Sequence, residues 1–178
     1  VKGITFIEFR NRIMNISKSI VINQPAALVW KVVGEEFEQA HLWMGPVKHS
    51  YALDALDQGT KPASAPVSGR VCELGNGPKG LQAEEVISEY NDEGRYLVMD
   101  VVPKNAPKLL PIHKNTVKMT VLHMGHNQSK VLFDATPDLK ILGKILSPVL
   151  KLGLGKAFGD ILKDLKKYCE LTVQSSAA

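Results

Sequence analysis

General acid–base chemistry needs a proton carrier poised near neutral pH, beside groups that orient one substrate atom. Of the five histidines in this 178-residue chain, His41, His49, His123 and His126 fall at expected helix ends, strand faces or turns, which leaves His113 as the candidate for a cavity. Arg70, Glu85, Thr116 and Lys118 are, with His113, the candidate buried polar anchors. A buried charge is costly unless paired. An inward Arg70–Glu85 pair would therefore be a functional feature, whereas on a solvated face either residue is ordinary. The sequence holds no G-x-S-x-G and no legible nucleophile–base pair, so no catalytic residue is assigned. His123 and His126 span a turn without further ligands, and neither a metal nor a cofactor is expected. Gly75 to Gly80 lacks the G-x-x-x-x-G-K-[ST] pattern and reads as a turn or gate rather than a phosphate loop.

The elements that must position these groups are legible from periodicity. Ser17 to Ile22 alternates and is a strand; Pro25 opens a short helix with Leu28, Val29, Val32 and Val33 on its apolar face, closed by Gly34. A second short helix runs through Phe37, Ala40 and Trp43 to Gly45-Pro46. Strands are expected at 47–53, 69–74, 81–90, 95–102, 115–123 and 130–136, with loops at 55–66 and 103–113. Asp138 is expected to cap a short turn over 139–146. Ser147-Pro148 then starts a long amphipathic helix to Val173, apolar at Leu150, Leu154, Phe158, Ile161, Leu162 and Leu165. Gly153, Gly155 and Gly159 each weaken that helix by about 1 kcal/mol relative to Ala, which implies close packing, a kink or mobility. Strands in one run with helices at the ends argue α+β.

Alternation places Leu97, Met99 and Val101 on one strand face, Val117, Met119 and Val121 on another, and Val131, Phe133 and Ala135 on a third. These rows should face Leu154, Phe158, Ile161, Leu162 and Leu165 of the long helix. On the residues alone, a plain packed core without a cavity is the better account.

Length and composition suit one domain: residues 1–14 as an N-terminal extension, 15–175 as the folded unit. Residues 1–13 lack the continuous apolar core of a signal peptide and look dispensable to the fold, whether translation starts naturally at Met14 or from an upstream start now read as Val1. The net charge of +4 is dispersed except near the final helix, without a basic stripe interleaved with aromatics, so nucleic acid is not an expected partner. Cys72 and Cys169 form neither a disulfide scaffold nor a metal spacing and suit a reducing, cytoplasmic setting. No run approaches the roughly 18 apolar residues of a membrane span. Residues 139–168, apolar on one side and rich in lysine, could make transient contact with a membrane surface. The oligomeric state is not legible.

Pro25, Val29-Trp30, Phe37-Glu38, Trp43 and Pro46, followed by GRVCEL (69–74), EEVISEYND (84–92), the Asn115 strand and LKKYCE (165–170), stand in an order that resembles the START-like, helix-grip superfamily, in its polyketide cyclase/dehydrase branch. The resemblance covers roughly residues 15–173. It implies a Bet v 1-like curved antiparallel sheet of about six or seven strands gripping the C-terminal helix, with a cavity between them for a small hydrophobic or amphipathic ligand (lipid, quinone or polyketide-like). With only 6% aromatic residues and many small fillers, the apolar rows leave room for such a cavity. The ligand-binding set it implies is Arg70, Glu85, Leu97, Met99, Val101, His113, Thr116, Phe133, Leu154, Phe158 and Leu162. Glu85, Met99, His113 and Thr116 fall where the related plant hormone receptors contact ligand, although alternation turns Thr116 outward. The leading expectation is non-catalytic binding or transport; the alternative is a cyclase- or aromatase-like enzyme acting in the same cavity.

Overall fold

A computed structural model describes residues 14–53, 61–75 and 79–176, the last five by their backbone alone. The expectations for residues 1–13, for the first half of the 55–66 loop and for the centre of the 75–80 turn lie outside these residues.

The chain runs β1 (Ile16–Ile22), α1 (Ala26–Trp30), a π turn (Lys31–Glu35), a 3-10 segment (Phe37–Leu42), β2 (His49–Ala52), β3 (Gly69–Glu73), β4 (Gln82–Asn91), β5 (Tyr96–Lys104), β6 (Ile112–Gly125), β7 (Gln128–Leu139), α2 (Ile141–Ile145) and α3 (Ser147–Ser176). The seven strands form one antiparallel sheet in the order β1-β7-β6-β5-β4-β3-β2. With α3 laid across its inner face, this is the helix-grip α+β architecture.

Three boundaries differ from the sequence reading. The π turn continues α1, so Gly34 lies inside the helical stretch, where a Cβ would come 2.6 Å from the Trp30 ring. The missing side chain lets that indole pack, and its Nε1 donates to Asp92 Oδ1 at 2.6 Å. Strand β5 extends through Pro103 to Lys104 and β6 starts at Ile112, which shortens the expected 103–113 loop. Asp138 does not cap a helix: β7 runs on to Leu139, and α2 starts after Lys140 without a side-chain cap.

The register fixes the inner rows. Ile87, Met99, Val117, Ala135 and Ile16 stand side by side across the sheet, and Leu97, Met119 and Phe133 make the next row. All eight are buried, as period-two alternation demands of a sheet covered on one face. On α3 the buried stripe is Gly155, Phe158, Leu162, Leu165 and Cys169, in steps of three and four. Gly155 is the tight point: a Cβ there would sit 3.3 Å from Lys18 Cε, and its absence lets the helix settle onto β1. Beside Gly153 and Gly159 a Cβ would meet nothing within 4 Å, so no close contact explains those two glycines.

Candidate functional site

The sheet–helix interface divides into a filled half and an open half. In the filled half, Phe158 lies against Phe133 with ring centroids 4.9 Å apart, and Leu162, Leu165 and Cys169 are buried behind it. Leu97, Met99, Phe133, Phe158 and Leu162, expected to line a hollow, are all buried where α3 meets the sheet.

The other half is different. Lys151 continues the stripe of Gly155 and Phe158 by one step of four, yet it is exposed. The first turns of α3 are therefore not sealed against the sheet. Val101, Leu139, Leu150, Leu154 and Ile161 all pack against the core but are only partly buried. Leu150, Leu154 and Ile161 share a flank of α3, between the stripe and the side on which Asp164 Oδ2 accepts from the Gly45 amide at 3.1 Å. Gly155, on the opposite flank, abuts β1. These apolar side chains thus turn away from β1, toward β5 and its neighbours.

Polar groups meet this open end at two depths. Asn115, next to Val101 on β5 and Pro137 on β7, has a buried Oδ1 without a hydrogen-bond partner among the described residues. An unmet buried acceptor costs about 1–3 kcal/mol, so a donor brought by a guest would be favoured there. Deeper, Arg70 pairs with Glu85: Nε donates to Oε2 at 2.7 Å and Nη2 lies 2.6 Å from the same oxygen. Both residues are buried, which decides between the two sequence readings in favour of the inward pair. Arg70 also donates through Nη1 to the Phe37 carbonyl and lies 4.0 Å above the Phe37 ring centroid. The ion pair thus ties the 3-10 segment to the sheet. Burial first, then the Glu85 charge, pushes the neighbouring Cys72 thiol up to about 12 against the opposing pull of Arg70.

Thr116 and Lys118 point the other way. Thr116 Oγ1 donates to Asp100 Oδ1 at 2.6 Å, and Lys114 Nζ to Asp100 Oδ2 at 2.8 Å, on the outer face. Lys118 Nζ sits 4.3 Å from the Tyr96 ring centroid on the same side. The expectation of Thr116 as an inward contact is corrected, because strand parity sets it opposite Asn115 and Val117. His113 occupies a bulge, where the register jumps between Ile112 and Lys114, and is exposed. It borders a depression of about 320 Å³ under the β5–β6 connection, with Pro103, Ile112 and Lys140. A second depression, of about 370 Å³, lies on the far half of α3 around Lys163, Lys167 and Leu171. Neither is enclosed between sheet and helix. Sequence reasoning missed Asn115 and Leu139; Asn115 shares its parity with Val117, which was the available signal.

One contact resembles a hydrolytic pair but is not one. His41 Nδ1 lies 2.9 Å from Ser50 Oγ. That hydroxyl donates to the Glu38 carbonyl at 2.6 Å and accepts from the His41 amide at 3.1 Å. Its proton is committed, so it serves as a strut rather than a nucleophile. Among the described residues no group of three His, Cys, Asp or Glu could hold a metal ion.

Comparison with known proteins places this geometry. The profile of a family described as polyketide cyclase / dehydrase and lipid transport matches residues 14–170. A START superfamily protein from Mycobacterium smegmatis superposes with TM-score 0.62 at 15% identity, over 90% of this chain and 97% of its own. The ZhuI aromatase/cyclase from Streptomyces sp. R1128 superposes with TM-score 0.68 at 10% identity, over 91% and 96%. At these identities the two likenesses establish the fold alone. No curated protein matches the sequence.

Proposed function

The chain belongs to the polyketide cyclase / dehydrase and lipid transport family, and on that premise we propose that it binds and carries a small hydrophobic or amphipathic molecule in the open end between the sheet and the first turns of α3. The observation that carries this reading is the group of partly buried apolar side chains around Asn115, whose buried Oδ1 lacks a partner. An apolar guest would cover Val101, Leu139, Leu150, Leu154 and Ile161, and a hydroxyl or amide on it would satisfy Asn115. Burying apolar surface favours the guest at about 25 cal/mol per Å² before its ordering costs. A carrier reading also suits the polar groups: all five histidines are exposed, and Arg70 and Glu85 are engaged with each other. A cyclase needs acid–base groups converging on one substrate atom.

Native mass spectrometry of the purified chain tests this directly. A bound small molecule released on denaturation is the expected result. Titration with the dye 1-anilinonaphthalene-8-sulfonate gives a second readout: Leu154→Trp, which fills the opening, should abolish its fluorescence gain while the fold persists. Absence of any co-purifying molecule, together with unchanged dye binding in Leu154→Trp, would overturn the proposal. Turnover of a poly-β-ketone substrate by the chain would establish the cyclase alternative instead.

A further inference from the structure

From the unpartnered surface formed by α2, the first turns of α3 and the β5–β6 connection, we infer that this end of the molecule docks on an anionic lipid bilayer. Leu109, Ile141, Ile145, Val149 and Leu152 are each between 69% and 82% exposed. Four of them fall at steps of four, four and three along one almost continuous helical run. The Leu146 amide donates to the Leu142 carbonyl, and the Leu150 amide to the Leu146 carbonyl, at 3.1 and 3.0 Å. They therefore share one stripe. Leu109 is held beside that run: the Lys140 amide donates to the Pro111 carbonyl at 2.9 Å, and a Cβ on Gly143 would lie 2.3 Å from the same oxygen. A patch of large apolar side chains this exposed marks an interaction surface.

Charge selects the partner. No Asp or Glu occurs between Asp138 and Asp160, nor between Asp100 and Asp134, while Lys140, Lys144 and Lys151 run along one flank of the stripe and Lys108 precedes Leu109. None of these four lysines has a carboxylate within ion-pair distance among the described residues. Apolar side chains flanked by unpaired cations fit the interface of a bilayer with anionic headgroups, where leucines enter the acyl boundary and lysines stay at the phosphates. A second copy of the chain fits poorly, because its matching patch carries the same lysines and no acid to pair with them. No helix among the described residues is long and apolar enough to cross a membrane, so the run lies on the surface. The docking itself does not depend on what the protein carries, and the test contains no ligand.

Flotation of the full chain with phosphatidylcholine vesicles, with and without about 30% phosphatidylserine, measures it. Binding is expected only to the anionic vesicles, and it should fall as salt rises from about 0.05 to 0.5 M. The double variant Lys144→Gln/Lys151→Gln should bind about thirtyfold more weakly. Ile145→Ser/Leu152→Ser, at positions already in solvent, should weaken anionic-vesicle binding at least about tenfold with an unchanged melting temperature. Equal affinity for neutral and anionic vesicles, no vesicle binding at low salt, or a concentration-dependent dimer abolished by Ile145→Ser/Leu152→Ser would each overturn the inference.

Discussion

Removing the Glu85 carboxylate is the sharpest test of how this fold is held. Arg70 is 1% exposed and Glu85 6%, and β3 meets β4 so closely that a Cβ on Gly69 would lie 2.2 Å from the Glu85 carbonyl. A guanidinium enclosed in this way has no route to water. Glu85→Ala leaves the Arg70 cation with the Phe37 carbonyl and ring as its contacts. Breaking one half of a buried ion pair costs about 3–5 kcal/mol. For a chain of this size each kcal/mol moves the melting temperature by about 2–4 °C, so the variant should melt about 6–20 °C lower. The double variant Arg70→Met/Glu85→Leu removes both charges. It should recover most of the loss, short of about 1 kcal/mol for the Phe37 carbonyl left without its donor. Urea midpoints and calorimetry measure both. A Glu85→Ala loss under about 1 kcal/mol, or a double variant no more stable than the single one, would refute the assignment of this pair as a buried tie between sheet and 3-10 segment.

Three further outcomes follow from the packing. Phe158→Ala removes a ring packed at a tilt against Phe133 and should cost about 3–5 kcal/mol in urea unfolding; a loss under about 1 kcal/mol would mean that Phe158 borders an open space. Burial raises the thiols of both Cys72 and Cys169 to about 12, so iodoacetamide at pH 8 should label the native protein far more slowly than the unfolded one. Because these folded values lie above an unfolded thiol's value of about 8.5, the protection is complete below that pH and is lost as pH rises toward the folded value; stability should decline above about pH 8.5, and equal labelling of folded and unfolded chains would contradict this. Burial acts to raise Asp100, but hydrogen bonds from Lys114 and Thr116 and the Lys114 charge outweigh it and hold the carboxyl below its ordinary range. Its contribution is present above about pH 4 and lost as pH falls further, so Asp100→Asn should flatten the acid limb of the stability profile; an identical limb would refute the point.

On the proposed carrier reading, the open end bears on how a guest would enter. A sealed apolar chamber must open before anything enters. Here α3 is pinned from Gly155 onward by Phe158, Leu162 and Leu165, while its first turns carry exposed Lys151 and Leu152. Stability and access would thereby fall to different stretches of one helix, as expected where binding regions draw on the less tightly packed parts of a structure.

Much of this was written in local pattern. Alternation in 95–102, 115–123 and 130–136 determined three strands and the faces of Leu97, Val117 and Phe133, because side chains on a strand alternate whatever the neighbours are. The same rule turned Thr116 outward. Steps of three and four in 147–173 likewise determined the helix and its stripe. Tertiary structure alone decided the rest. Whether Arg70 and Glu85 turned inward depended on β3 pairing with β4 in one register, and registers are set by contacts distant in sequence. Whether the space under α3 was hollow depended on how near the helix comes to β1, which Gly155 permits but no periodicity measures. The stripe says which side of a helix seeks cover; only the assembled sheet says where the cover stops, and here it stops before Lys151.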